Sequence, residues 1–357
     1  MLTRIITGFV LLAILIPCLV LGGWFFFLFF AILAIVGVRE VLKAPGSNRY
    51  PVLVQIVVYL FVLSFVFWAF IKNWLNNNIT PFSGSDFYLS DFFISIIGVV
   101  AYALVLLMFA VFSPKITLSD ATYLFTVGFI FGLGFQSMYF LRYYPNAPGI
   151  CMNQSEIGNI AIDPSWTTST ITLNEYFKEY YVAHNLSQNY NSSLFFFFML
   201  IGTWGADVGA YFFGTFFGKH RMNPRISPHK TWEGFIGGAF VSAAASLGFA
   251  AICEYCFSSP LVPGLIQFQN SDLLQAINVL DGVAWPFIVS IAILMPIVGN
   301  VGGFAFSLIK RQFGIKDFGF IFPGHGGVID RFDSIMTNSI LCSLVLLLTS
   351  HAWNFLI

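Results

Sequence analysis

Charged side chains are scarce in this sequence, and those that could do chemistry are concentrated in two short segments. Only 9% of the 357 residues are Asp, Glu, Lys or Arg, whereas a soluble domain carries about 25%. The first segment runs from Lys219 to Glu233 and the second from Lys310 to Asp333. A third feature is Asp207, a carboxylate inside a long apolar run. An ionisable residue within a membrane helix is costly and usually lines a functional cavity.

Three aspartates of the second segment could hold a divalent metal ion. Asp330 and Asp333 are three residues apart, so they share one face at the start of a helix. Asp317 can reach the same place if the run 324–327, Gly-His-Gly-Gly, folds back, because glycine tolerates positive φ. Such a turn also lets a phosphate approach the backbone, and the N-terminus of the following helix favours anions. Mg²⁺ takes one or two carboxylates together with phosphate oxygens, so this pattern predicts a metal and phosphate site.

Basic side chains flank these aspartates and could neutralise phosphate groups. Each has an ordinary explanation when taken singly, such as an anchor at the membrane surface or a helix cap. Such separate roles do not explain the whole set, because charged residues are nearly absent from the rest of the chain. Ser227-Pro228 predicts a turn before the next helix, with a hydroxyl available there. The basic set comprises Lys310, Arg311, Lys316 and Arg331 in the second segment and Lys230 in the first.

The elements that must position these residues are membrane-spanning helices. The chain is 58% hydrophobic, with apolar runs near the ~20 residues that a spanning helix needs. We therefore predict an all-α polytopic transmembrane protein with one membrane domain over 1–357. It comprises N-terminal helices in 1–143, a lumenal loop over 144–193 and catalytic helices with cytosolic loops in 194–357. About nine spanning helices are predicted, at 5–22, 24–38, 51–72, 92–113, 119–141, 194–217, 233–253, 284–306 and 334–353.

The distribution of basic residues predicts a cytosolic N-terminus. This orientation places thirteen of the sixteen Lys and Arg residues in the cytosol and leaves Lys72, Arg142 and Lys178 on the far side. The N-x-[ST] tripeptides at 78, 153, 185 and 191 all fall on the far side, which indicates a eukaryotic secretory membrane, such as the endoplasmic reticulum. The net charge of zero gives no basic field that would suggest nucleic acid as a partner.

The second charged segment resembles the signature of the CDP-diacylglycerol synthase, or phosphatidate cytidylyltransferase, family. Every fixed position of that signature is filled over the 27 residues from Ser307 to Asp333. Asp207, Ala210 and Tyr211 resemble the family's D-x-x-A-Y run, and 227–238 resembles its SPKKTWEGFIGG box in the eukaryotic form. Glu40 also fits. Two positions depart from the pattern: His229 replaces a usual lysine, and Phe320 replaces a residue that is usually acidic in eukaryotic members.

The resemblance implies an enzyme that makes CDP-diacylglycerol and pyrophosphate from CTP and phosphatidic acid in the bilayer. It implies Mg²⁺ as cofactor, leaves room for a second, monovalent or divalent cation, and suggests a homodimer. The basic residues of the second segment are expected to neutralise CTP, and those of the first to receive the lipid phosphate. The expected catalytic residues are Asp330, Asp333, Lys316, His325 and Arg331. The expected substrate-binding residues are Ser227, Lys230, Lys310, Arg311, Gly326 and Gly327, and the expected metal ligands are Asp207, Asp317, Asp330 and Asp333.

Two other functions compete with this interpretation. A transporter would carry ionisable residues through its midplane helices and would show an inverted repeat, and neither is evident here. Another CTP-dependent lipid enzyme, such as a polyprenol kinase, would share the membrane character and nucleotide use. It would not be expected to carry the full set of residues from Lys316 to Asp333.

Overall fold

The protein is a bundle of long α-helices. The computed structural model describes residues 2–46, 49–78, 86–143, 188–256, 261, 280–322 and 326–352. A π-helical turn, Ile252–Cys256, extends the seventh helix. The helices of the described residues are α1 Leu2–Leu21, α2 Gly23–Lys43, α3 Val52–Asn78, α4 Asp86–Phe112, α5 Leu118–Tyr143, α6 Gln188–Phe217, α7 Trp232–Ala251, α8 Leu280–Gln312 and α9 Ile329–Ala352.

Each predicted helical segment coincides with one of these helices, but the count of nine spans stays a prediction. Within the described residues, five helices are long and apolar enough to cross a membrane. Residues 144–187 of the predicted lumenal loop lie outside the described residues, and 188–193 belong to α6. The five candidate spans are Gly23–Lys43, Leu118–Arg142, Ser193–Phe217, Trp232–Cys256 and Phe287–Gln312.

Large apolar side chains on the outside of the bundle fit a lipid environment. Val111 on α4 is 76% exposed and Phe240 on α7 is 72% exposed. Soluble proteins rarely leave extensive apolar patches open to water, whereas hydrocarbon solvates them well. The chain is therefore an integral membrane protein.

A short β-hairpin joins α6 to α7, which the all-α prediction did not include. Strand β1, Arg221–Asn223, pairs antiparallel with β2, Ser227–Thr231. The predicted turn at Ser227-Pro228 is therefore wrong, because these residues open β2 and the chain reverses just before them. Pro228 has no N–H to donate, but its carbonyl accepts a 2.7 Å hydrogen bond from Arg221 Nη1. Thr231 then caps α7, its hydroxyl accepting from the N–H of Gly234.

Helices α6 and α7 pack closely because glycines line their contact. A Cβ added to Gly209 would lie 2.9 Å from Gly238 Cα, and one added to Gly238 would lie 2.6 Å from the carbonyl oxygen of Ala206. Small residues let two membrane helices approach backbone to backbone. This contact places Asp207 of α6 beside the first turns of α7, the helix that follows the hairpin.

The two charged segments meet at one end of the bundle. Arg311, near the end of α8, donates from Nε to the carbonyl of Ile226 in the hairpin at 3.2 Å. Lys310 of the same helix bonds to Asp330 at the start of α9. Helices α6 and α8 therefore end where α7 and α9 begin, and the charged residues gather there.

Candidate active site

A cavity of about 240 Å³ opens between α6, α7, α8, α9 and the hairpin. Its wall is mostly small and apolar, and its polar side chains come from α6, the hairpin, α8 and α9. A concave site with a few convergent polar groups is the usual form of a ligand pocket. The main polar side chains are Thr203, Asp207, Lys230, Asn300, Ser334 and Asn338.

Lys230 projects from β2 into this cavity. Its ammonium donates to Asn300 Oδ1 at 2.9 Å and lies 4.5 Å from the centre of the Phe304 ring. Burial lowers the pKa of Lys230, while the negative charges of Asp333 and Asp207 act in the opposite direction. The negative charges of carboxylates on two different helices, α6 and α9, therefore act on this cation.

Gly303 on α8 keeps space open beside that ammonium. A Cβ built there would lie 3.1 Å from Lys230 Nζ, 3.7 Å from Ser334 Oγ and 3.9 Å from Asp333 Oδ2. A cation, a hydroxyl and a carboxylate oxygen therefore converge on one point that no side chain fills. An anionic oxygen of a substrate could occupy this space next to Lys230.

Asp207 lies one helical turn from a second polar contact between α6 and α9. Thr203 and Asp207 are four residues apart on α6, and Ser334 and Asn338 are four apart on α9. Asn338 Nδ2 donates to Thr203 Oγ1 at 2.8 Å. Because the two helices run in opposite directions, Asp207 and Ser334 lie on the same level, one turn nearer the charged end.

Asn338 carries an unsatisfied acceptor. The residue is 1% exposed, and its Oδ1 is one of the few buried polar atoms of the described residues that lack a hydrogen-bond partner. Its Nδ2 is oriented by Thr203, whose own hydroxyl donates to the carbonyl of Met199. A buried acceptor left unpaired costs about 1–3 kcal/mol. Because Asn338 lines the cavity, its Oδ1 could accept a hydrogen bond from an N–H or O–H donor of a ligand.

The two aspartates of the C-terminal segment have different surroundings. Asp330 is 4% exposed at its side chain and accepts from Lys310 Nζ, from the N–H of Phe318 and from the N–H of Gly327, each at 2.9 Å. Its carboxylate organises the turn. Asp333 accepts a hydrogen bond from the N–H of Ser334, and its charge interacts with those of Asp207, Lys310 and Lys230.

The N-terminus of α9 does not offer the anion site that the sequence suggested. The N–H groups of Val328 and Ile329 donate to the carboxylate of Glu40 at 3.0 and 3.1 Å, and that of Gly327 donates to Asp330. These donors would otherwise attract a phosphate. Here they are already bonded to carboxylates of the protein itself.

The Gly-rich segment folds back as predicted. Phe322 and Gly326 exchange backbone hydrogen bonds at 3.0 and 3.2 Å, and Gly326 adopts φ 89°. The N–H of Phe318 bonds to Asp330, which brings the neighbouring Asp317 to the start of α9. His325 lies outside the described residues.

The remaining predicted residues lie around the charged end of the bundle. The guanidinium of Arg311 donates to the carbonyls of Ile226 and Ile315, so it ties the hairpin to the end of α8. Lys316 and Arg331 are exposed, and Ser227 opens β2 half-buried. Thr203, Ser334, Asn338 and Asn300 were not predicted as site residues. The four-residue spacing of polar residues in apolar helices could have indicated the first three.

The carboxylates offer oxygen ligands of the type that Mg²⁺ prefers. Within the described residues, no three His, Cys, Asp or Glu side chains are grouped closely enough to form a metal site by themselves. The charges of Asp207 and Asp333 interact with each other near the cavity, whereas the oxygens of Asp330 already accept hydrogen bonds. The donor set fits a hard cation that also binds phosphate oxygens, and the metal assignment stays a prediction.

Comparison with known proteins identifies relatives for this arrangement. The sequence model described as "Cytidylyltransferase family" matches residues 2–349. The phosphatidate cytidylyltransferase of Staphylococcus saprophyticus is 40% identical over 139 residues, covering 39% of this chain and 44% of that protein. The phosphatidate cytidylyltransferase of Brucella suis is 36% identical over 147 residues, covering 41% of this chain and 44% of that protein. The matched region thus spans less than half the length of each relative.

Proposed function

The chain belongs to the cytidylyltransferase family, and we propose that it transfers the cytidylyl group of CTP to phosphatidic acid. The products are CDP-diacylglycerol and pyrophosphate. The half-buried Lys230 supports this proposal most directly: it lines a cavity between helices together with Asp207, and the charges of Asp207 and Asp333 act on its ammonium. That cavity lies next to the charged end of the bundle, where a water-borne nucleotide and a membrane-borne lipid can meet.

The reaction joins two anions. An oxygen of the lipid phosphate attacks the α-phosphorus of CTP, a new P–O bond forms, and the bond to the β-phosphate breaks with pyrophosphate leaving. Because little covalent chemistry is required of the protein, positioning and charge neutralisation supply most of the catalysis. Lys230 receives the lipid phosphate in the space beside Gly303, and Ser227 contributes a hydroxyl nearby. The exposed Lys316 and Arg331 neutralise the phosphates of CTP.

Mg²⁺ is the proposed cofactor, and a second monovalent or divalent cation is compatible with the site. When bound, Mg²⁺ would neutralise negative charge on the phosphate groups. Asp333 and Asp207 are the carboxylates best placed to hold it, with Asp317 close by at the turn. Asp330 supports the metal site through the turn that it organises, since its oxygens accept three hydrogen bonds.

The proposed setting is the endoplasmic reticulum membrane, with the charged end of the bundle in the cytosol and the chain paired as a homodimer. The distribution of Lys and Arg supports this orientation. Proteolysis of sealed vesicles should cut the 219–232 segment from the cytosolic face only. Cleavage only after lysis of the vesicles would reverse the orientation.

The direct test is a membrane assay with labelled CTP. We expect pyrophosphate release and labelled CDP-diacylglycerol only when phosphatidic acid and Mg²⁺ are both present. A polyprenol acceptor replaces the lipid in a parallel reaction, which tests the kinase alternative. Turnover with the polyprenol and none with phosphatidic acid would reject the proposed substrate. The transporter alternative is less supported, because the family match covers nearly the whole chain.

A further inference from the structure

A carboxylate from the N-terminal half of the chain reaches the start of the helix that carries the aspartates. Glu40, near the end of α2, is 4% exposed. Its Oε1 accepts from the N–H of Val328 at 3.0 Å and its Oε2 accepts from the N–H of Ile329 at 3.1 Å. The two partners are separated from it by 288 and 289 positions in the chain. Both oxygens of one side chain therefore accept hydrogen bonds from the first residue of α9 and the residue just before it.

Two glycines make room for this carboxylate. A Cβ on Gly319 would collide with Glu40 Oε1, and one on Gly327 would collide with both oxygens of Glu40. Neither glycine has the positive φ that would by itself require glycine. Glycine is needed at both positions because a side chain there would collide with the carboxylate of Glu40. That carboxylate is enclosed between the segment after Asp317 and the residues just before α9.

The helix start that Glu40 holds carries the charged residues of the site. Asp330 follows Ile329 directly, and Asp333 lies one turn further along α9. On an α-helix each residue rises about 1.5 Å and turns by a fixed angle, so fixing the two amides at the helix start fixes the direction of both aspartates. Because these N–H groups donate to Glu40, they are not available to a phosphate. Binding of the substrate phosphates is then expected to depend on the lysines and the proposed metal ion.

We infer that Glu40 is a positioning residue of the active site, which sets the start of α9 and thereby the placement of Asp330 and Asp333. It acts through those residues and does not contact the substrate. The inference rests on the proposed function for its kinetic consequences, whereas its geometric basis can be measured without any turnover.

The chain offers a matched control. Asp120 is also a buried carboxylate, 5% exposed, at the start of a long helix. Its Oδ2 accepts from the N–H of Thr117 at 3.0 Å, and both of its oxygens bond to Arg49. It resembles Glu40 in burial and in capping an N-terminus, but it caps α5 and bonds to no residue of the α9 start. A purely structural role would make the two carboxylates equivalent.

The experiment compares Glu40→Gln and Glu40→Ala with Asp120→Asn in the full-length purified protein. Glutamine keeps one acceptor oxygen, but its carboxamide NH2 is a donor and cannot accept from the second backbone N–H. Glu40→Gln should therefore already lower kcat by at least about tenfold. The KM for phosphatidic acid should change little, since Lys230 is untouched. Asp120→Asn should keep kcat, even where its thermal stability falls as far as that of the Glu40 variants. Equal loss of kcat in both at equal loss of stability would overturn the inference.

A second measurement does not depend on catalysis. Hydrogen exchange at the amides of Val328 and Ile329 should accelerate in Glu40→Ala and stay slow in Asp120→Asn. Gly319→Ala should accelerate it in the wild-type background but add little in Glu40→Ala, because the collision partner is gone. Unchanged exchange in Glu40→Ala, or fully additive effects of the two substitutions, would reject the positioning role. If the wild-type protein lacked the proposed activity while the exchange pattern held, only the proposed function would fail.

Discussion

Lys310 Nζ lies 2.9 Å from Asp330 Oδ1, in a pair whose side chains are 13% and 4% exposed. From the sequence, CTP was the predicted partner of this lysine, and a metal ion was the predicted partner of this aspartate. In the structure they bond to each other, and the same carboxylate accepts two backbone N–H groups of the folded-back turn. The pair therefore joins the end of α8 to the start of α9 beside the cavity.

Lys310→Met should destabilise the protein by about 3–5 kcal/mol, because removing one partner leaves a buried charge without compensation. Adding Asp330→Asn should recover part of that loss, since the remaining group is then neutral. Thermal unfolding in detergent measures both effects. Lys219→Met, at an exposed position in the same region, serves as the control and should leave stability unchanged. Strictly additive losses in the double variant would contradict the pairing.

Asp333→Asn should lower turnover by on the order of 10²-fold or more, as one preorganised electrostatic contact is worth roughly 3–4 kcal/mol. The Mg²⁺ concentration for half-maximal rate should rise, and thermal stability should change little. Asp330→Asn should lower turnover to a similar degree, but with loss of stability at the turn. Glu254→Gln, in the π-helical turn beyond α7, is the control. Near-normal rates with unchanged Mg²⁺ dependence would remove Asp333 from the site.

Lys230→Met should mainly raise the KM for phosphatidic acid, whereas Lys316→Met should mainly raise the KM for CTP. The expectation follows if each lysine contributes equal binding in the ground state and the transition state. Lys230 points into the cavity between helices, and Lys316 is exposed beside the turn. Steady-state kinetics with each substrate varied separately will measure the change. The reverse pattern would exchange the two assignments.

The alkaline limb of the pH–activity profile should move to higher pH in Lys230→Arg. Burial lowers the pKa of Lys230, so the lysine loses its proton at a lower pH than an exposed lysine does. If the cation is needed to receive the lipid phosphate, activity falls as the pH rises through that lowered pKa. Arginine keeps its charge over the same range. An unchanged alkaline limb would show that another group limits the rate there.

Asn338→Leu should raise thermal stability while lowering activity. The substitution removes a buried acceptor that has no partner, and Thr203 keeps its bond to the carbonyl of Met199. Because an active site can hold an unsatisfied group for its substrate, stability and activity are expected to move in opposite directions. Ser339→Ala provides the contrast: Ser339 donates to the carbonyls of Gly134 and Met336, so its loss should lower stability. Wild-type activity in Asn338→Leu would exclude Oδ1 from substrate binding.

The sequence by itself determined the helices and the family. Apolar runs long enough to span a bilayer must satisfy their backbone groups internally, so helices at 51–72 or 194–217 follow from local composition. The signature from Ser307 to Asp333 is likewise contiguous, and the family model confirms the resemblance. The fold-back of the turn was predictable for the same reason, since glycine at 326 permits φ 89°.

Only the tertiary structure decided how the charged groups pair. Lys310 could equally have faced a nucleotide, and packing of α8 against α9 directs it to Asp330 instead. Glu40 meets Val328 across 288 positions, a contact that no local pattern encodes. The unpaired Oδ1 of Asn338 likewise depends on which helix face meets α6. Spacing along a helix predicts which residues share a face, but which partner each face meets depends on the packing of the whole bundle.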